Sequence, residues 1–254
     1  MNSEPAILVL GGTGRTGRRV VTQLLSRGAH VRAIVRSASR LPAEAAGHQG
    51  LHVTEAELLA MSDEELQRQL AGCEAVICCL GHTVSLQGVY GAPHDLVAQA
   101  VLRIARAARA LQVSPPLRLV LMSSVSVNDP AGLNSRRGAI ERAVLWVMRA
   151  VLPPARDNQL AADFLCLTIG PAHPHLEWVI VRPDTLIEGE ISQYAVHPGL
   201  VASLFHPDNS TMSNVAHFLC ELACEARAWE EWKGQLPVVV DAASGPPRER
   251  RVAH

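Results

Sequence analysis

The residues best suited to chemistry stand near the amino end, where Gly11, Gly12, Thr13, Gly14, Arg15, Thr16 and Gly17 follow the apolar run 6–10. Gly12, Gly14 and Gly17 read as G-x-G-x-x-G, the spacing at which a strand hands over to a helix and leaves backbone N–H groups free for a pyrophosphate. In this reading Gly12 permits the tight turn, Gly14 lets backbone approach the phosphates, and Gly17 lets the helix pack on the strand. The helix dipole then adds its own attraction for the anion. Glycines cluster in many loops, so context decides. Val20, Val21, Leu24 and Leu25 follow at helical spacing, Gly28 supplies a stop, and residues 30–35 return as a second strand.

The end of that second strand bears on which nucleotide is held. An NAD(H) site usually places Asp or Glu there to accept from the ribose 2′-hydroxyl. This chain has Arg36, then Ser37 and Arg40. A guanidinium fork grips a 2′-phosphate through paired, charge-assisted hydrogen bonds, and Arg15 in the turn is a second candidate for the same group. The expected cofactor is NADP(H), with NAD(H) the lesser alternative. The missing acid counts as much as the arginines do.

The elements that must position these residues follow from the pattern. The chain has 254 residues, 48% of them hydrophobic, enough for one large α/β domain over residues 1–244. A net charge of −1 provides no field for nucleic acid or an anionic membrane. No leader pattern or span-length apolar run is seen, so a cytoplasmic protein with a small-molecule substrate is expected. After a loop or short helix at 38–50, strands are expected at 51–53, 75–80, 117–122, 178–181 and 236–240. Ser62 and Glu65 form a capping box that opens a helix ending at Leu70. Further helices are expected at 94–111, 140–152, 158–169 and 213–226, with Pro153 and Pro154 breaking the second of these from the third. Helix 140–152 is core or an oligomer face, so a homodimer is one expectation; Arg103, Arg106 and Arg109 read as solvated. From 187 to 207 the period is lost, as suits loops over a substrate pocket from about residue 184, and a tail from 245 reads as disordered. The result is a Rossmann-like, doubly wound parallel sheet of about seven strands. Its expected order is 3-2-1-4-5-6, with the seventh strand beside the sixth.

Other chemically capable residues have weaker patterns. His82, His173, His175, His197 and His206 sit in loops and titrate near neutrality, but none has an identifiable partner or metal-ligand spacing. Cys220-x-x-x-Cys224 places two thiols on one helical face, either a redox pair or core packing. Lys233 is the only lysine among 23 basic residues.

With these residues in view, the chain resembles the atypical short-chain dehydrogenase/reductase superfamily, in the branch of NmrA-like proteins and flavin/biliverdin-IXβ reductases. The matching positions are 11–17, Val35-Arg36 with 39–42, Leu80-Gly81, Ser123-Ser124-Val125 and 178–183. The resemblance implies an NADP-binding Rossmann fold, with Leu80, Gly81, Ser123, Val125, Pro183 and Thr185 lining the nicotinamide end. The departure is at the catalytic dyad. Typical members carry Tyr-x-x-x-Lys after the fifth strand, but Tyr90 and Tyr194 each lack a lysine four residues on. The motif's place is taken by residues 153–158, where Arg156 and Asp157 form either a different polar site or a helix cap. Flavin/biliverdin-like relatives also lack the dyad and pass hydride directly, which makes Ser124 the leading catalytic candidate and Asp157 the second. The implied activity is NADP(H)-dependent hydride transfer to a small conjugated or carbonyl acceptor. The alternatives are a silent NADP(H) sensor of NmrA type, or a nucleotide-dependent epimerase or isomerase.

Overall fold

Continuous apolar runs can be satisfied only where both faces of a sheet are covered, and the computed structural model, which describes residues 5–81, 92–130 and 137–242, uses them in that way. Strands β1 (Ala6–Leu10), β2 (His30–Val35), β3 (Leu51–Glu55), β4 (Cys73–Cys78), β5 (Leu117–Met122) and β6 (Leu176–Pro183) are parallel neighbours in the order β3-β2-β1-β4-β5-β6. The crossovers supply helices α1 (Arg15–Ser26), α2 (Asp63–Leu70), α3 (Leu96–Ala110), α4 (Ala139–Val151) and α5 (Pro153–Asp163). Beyond β6 come β7 (Thr185–Ile187), β8 (Tyr194–His197), β9 (Asn209–Thr211), α6 (Met212–Cys224), α7 (Ala226–Trp232) and β10 (Val238–Asp241). The expected strand order holds, and β10 lies beside β6.

Alternation along each strand divides the core. Ile7 and Val9 of β1 face α1 and α6, whereas Leu8 and Leu10 face the side covered by α2, α3 and α5. Ser62 caps α2 as expected: its hydroxyl accepts from Glu65 N–H at 3.1 Å while Glu65 accepts from Ser62 N–H at 2.8 Å.

Several expectations need correction. β8 lies inside the aperiodic stretch and pairs antiparallel with β10, making an eight-stranded sheet; β7 and β9 form a separate parallel pair. Four half-buried edge residues carry too little alternation to be read as a strand. The break at Pro153 holds, since α4 ends at Val151, but Pro153 itself opens α5 ahead of the expected start at 158, because a missing N–H costs nothing in a first helical turn. α5 then passes into a π-helical turn, Phe164–Ile169. α4 is not core: it buries Glu141 and Leu145, while Ile140 and Trp146 are 72% and 71% exposed. Arg103 is not solvated, since its guanidinium donates to Met61 O at 2.6 Å, Asp63 Oδ1 at 3.0 Å and Leu58 O. Among the described residues no helix is long and apolar enough to cross a membrane. The tail from 245 lies outside the described residues.

Candidate active site

The glycine turn closes against the next strand through backbone alone. Gly11 has φ +78°, and a Cβ there would sit 2.5 Å from Cys79 O, so the left-handed turn belongs to Gly11 rather than to Gly12. Gly12 is buried beside Val21, with a Cβ 3.2 Å from its Cγ2. Gly17 lies under the turn, where a Cβ would be 2.1 Å from Gly11 O, which confirms its packing role. Gly14 differs. A Cβ on it would meet only Gly11 O, at 3.2 Å, and its exposed backbone caps α1 with no side-chain hydrogen bond. Thr16 is buried, Thr13 half-buried, and α1 has no acid in its first turn. Free N–H groups at the start of α1, the exposed backbone of Gly14 and the helix dipole together fit a dinucleotide's phosphates.

The neighbouring positions frame that turn. Cys79 N–H donates to Leu10 O at 2.9 Å, which brings half-buried Leu80 and exposed Gly81 to the carboxyl end of the sheet. His82 lies outside the described residues. At the end of β2, Arg36 is exposed and makes no hydrogen bond or ion pair with the described residues, while Ser37 and Ser39 share one of 2.9 Å. Arg40 ends the turn Ala38–Arg40, also exposed. Glu55, which β3 brings beside Val35, accepts from Ala38 N–H. Arg15 is turned elsewhere: its Nη2 lies 3.2 Å from Glu188 Oε1, and Arg19 contacts the same carboxylate. Both members of the Arg15 pair are exposed, so the tie is weak and a stronger anion would displace it.

The loop after β5 is held by side chains from far along the chain. Ser123 N–H donates to Val181 O at 2.8 Å and Val125 N–H to Pro183 O at 3.1 Å, which ties the ends of β5 and β6. Arg137, Arg149 and Arg182 then donate to the consecutive carbonyls of Val125, Ser126 and Val127, the last two at 2.8 and 3.3 Å. Gln159 pins Asn128 through both its backbone groups, at 2.9 and 3.1 Å. Ser124 Oγ is half-buried, accepting from Ser126 N–H at 3.1 Å and donating to Ser126 Oγ at 3.0 Å. Ser123 Oγ is buried with no partner among the described residues. Burial pulls the Arg182 guanidinium down to about 10, so it stays charged at neutrality. Thr185 is exposed at the start of β7, and Asp184 N–H donates to Ser210 Oγ at 3.0 Å.

The second catalytic candidate has a different place. Asp157 is 1% exposed, and its two oxygens accept from Val97 and Ala98 N–H, each at 2.9 Å. It sits in the body of α5 and caps α3, so both the polar-site reading and the reading of a cap on its own helix give way to an anchor between helices. Tyr194 stands on β8 at the edge of the sheet, donating to Glu221 Oε2 at 2.6 Å beside His217. Burial and that carboxylate raise its pKa well above the ordinary phenol value, the reverse of an activated tyrosine. Lys233 pairs with Glu230 at 2.9 Å on the surface. His173 and His175 precede β6, at the amino end of the sheet and away from the turn. Cys220 is buried and pushed up to about 12, a packing thiol rather than half of a redox pair. No group suited to a metal ion occurs among the described residues.

Sequence reasoning missed Arg137, Arg149 and Glu188, whose partners lie 12, 23 and 173 residues away. The one available signal was the near-exclusive use of arginine, whose planar fork suits carbonyls and carboxylates.

The geometry agrees with comparisons to known proteins. The sequence profile of the NAD(P)H-binding family matches residues 11–225. An uncharacterised chloroplastic protein of Arabidopsis thaliana is 27% identical over 210 residues, covering 80% of this chain and 73% of that one. The oxidoreductase ylbE of Lactococcus lactis has a similar fold, with a TM-score of 0.66 at 19% identity over 93% of this chain and 91% of that one. A short-chain dehydrogenase/reductase of Veillonella parvula in complex with NADP gives 0.64 at 17% identity, covering 95% and 96%. The anaerobillin reductase ChuY of Escherichia coli O157:H7 gives 0.64 at 18%, covering 95% and 99%.

Proposed function

Because the chain belongs to the NAD(P)H-binding family, we propose that it is an NADP(H)-dependent oxidoreductase that reduces a small conjugated or carbonyl acceptor without a Tyr-x-x-x-Lys dyad. The observation that carries this reading is Ser124, a hydroxyl fixed in a turn after β5, at the same carboxyl end of the sheet as the glycine cradle. Arg36 supports the choice of NADP(H), since an exposed guanidinium without a partner among the described residues is ready for a 2′-phosphate.

In this proposal Gly11 to Gly17 hold the pyrophosphate, Arg36 and Arg40 the 2′-phosphate, and Ser123 the nicotinamide end, where its buried hydroxyl gains a partner. When bound, the reduced nicotinamide supplies the hydride. Ser124 turns its O–H from Ser126 to the acceptor oxygen and orients it, and solvent provides the proton that completes the reduction. Six free thiols suit a reducing compartment, and we keep the cytoplasm as our reading of it.

The test is a screen for NADPH oxidation across quinones, flavins and enones, alongside a titration of NADPH binding. Turnover supports the proposal. Tight binding with no turnover would favour the sensor.

A further inference from the structure

Among the described residues, three buried side-chain atoms lack a hydrogen-bond partner: Gln23 Oε1, Ser123 Oγ and Arg137 Nε. Two of the three belong to the loop after β5 or to the arginine that holds it. Arg137 is 9% exposed, and its one described hydrogen bond runs from Nη2 to Val125 O, the residue after Ser124. A guanidinium carries five N–H donors in a rigid fork, so most of this cation's capacity is unused among the described residues.

The nearby carboxylates leave it so. Glu141 accepts from Leu204 N–H at 2.8 Å and from Gly138 N–H at 3.3 Å, and Asp184 accepts from Asp208 N–H at 3.2 Å. Both lie close enough to favour the charge on Arg137 against its burial, but neither hydrogen-bonds the guanidinium. A desolvated fork with idle donors, seated on the carbonyl of the residue after Ser124, is matched by a planar anion.

We propose that Arg137 forms an oxyanion subsite beside Ser124 that selects acceptors carrying a carboxylate. This rests on the reading of the loop after β5 as the reaction end. The carboxylate accepts from the unused edge of Arg137, which leaves the conjugated part of the acceptor against Ser124.

The experiment is a calorimetric titration of the NADP(H)-saturated protein with 2-naphthoate and with its neutral analogue 2-naphthamide. The wild type binds naphthoate at least about tenfold more tightly, Arg137→Gln loses that preference, and Arg137→Lys keeps part of it. Arg137→Lys carries the test if Arg137→Gln fails to fold. Equal binding of the two probes by the wild type, or none, overturns the proposal, and so does an unchanged preference in Arg137→Gln. If Arg137→Gln weakens NADPH as much as naphthoate, the guanidinium serves the nucleotide and the subsite is wrong. Failure of the underlying reading appears separately, as NADPH binding with no oxidation by any neutral quinone, flavin or enone.

Discussion

The turn at residues 11–17 and the loop at residues 123–128 both follow a parallel strand at the carboxyl end of the sheet, but they are built in opposite ways. The turn is shaped by backbone: Gly11 adopts φ +78°, Gly17 lies beneath it, and no side chain caps the helix that follows. The loop is shaped by side chains, with three arginines on three successive carbonyls and Gln159 on the fourth residue. A backbone site presents one constant chemistry, suited to a phosphate. A loop held by guanidiniums can be retuned residue by residue, which suits the end where acceptors differ.

Breaking the turn gives the largest effect and separates its glycines. Gly17→Val should prevent folding, because its Cβ alone would stand 2.1 Å from Gly11 O. Gly14→Val should keep the circular dichroism spectrum of the wild type yet lose nucleotide affinity by more than about a hundredfold, since its Cβ meets only Gly11 O. A folded Gly14→Val that binds NADPH normally would remove the phosphates from this turn.

Asp157 comes next. Replacing it by Ala leaves two N–H groups of α3 without their acceptor in a buried site and should cost about 3 kcal/mol in urea denaturation. The change should fall on stability, with kcat of the folded fraction kept. A stable variant with lost turnover would restore the catalytic reading of this carboxylate.

Ser124→Ala sharpens the other side of the comparison. It should lower kcat by roughly 10- to 100-fold, equivalent to about 1.4 to 2.8 kcal/mol of transition-state stabilisation, with NADPH affinity unchanged. The smallest effect belongs to Glu188→Gln, whose pair with Arg15 is exposed at both ends. The melting temperature should hold, and freeing Arg15 should tighten NADPH by no more than about fivefold in a competition titration.

The same contrast explains what one sequence could show. The glycine spacing, the Ser62 capping box and the apolar runs of β1, β4 and β5 are local, and local patterns were enough for these strands and for the glycine turn, whereas the order of the six parallel strands followed from the right-handed crossover rule. Even there the tight turn moved by one residue, because Gly11 is squeezed by Cys79, a contact made across two strands. That Asp157 caps a helix fits one of its two readings, but which helix was not legible, because its partners, Val97 and Ala98, lie at separations of 60 and 59 residues. The arginine grip on residues 125–127 has the same cause. Periodicity sees one element at a time, and these ties join several.

The central claim is tested most directly by kcat/KM for NADPH and NADH, measured on the wild type and on Arg36→Asp with whichever acceptor the screen identifies. Loss of a paired, charge-assisted contact to the 2′-phosphate should cost roughly 1.5 to 3 kcal/mol. The wild type should therefore prefer NADPH by at least about tenfold, and Arg36→Asp should lower activity with NADPH by about 10- to 100-fold while sparing NADH. A wild type indifferent to the two cofactors, or a preference for NADPH that survives Arg36→Asp, would contradict the account.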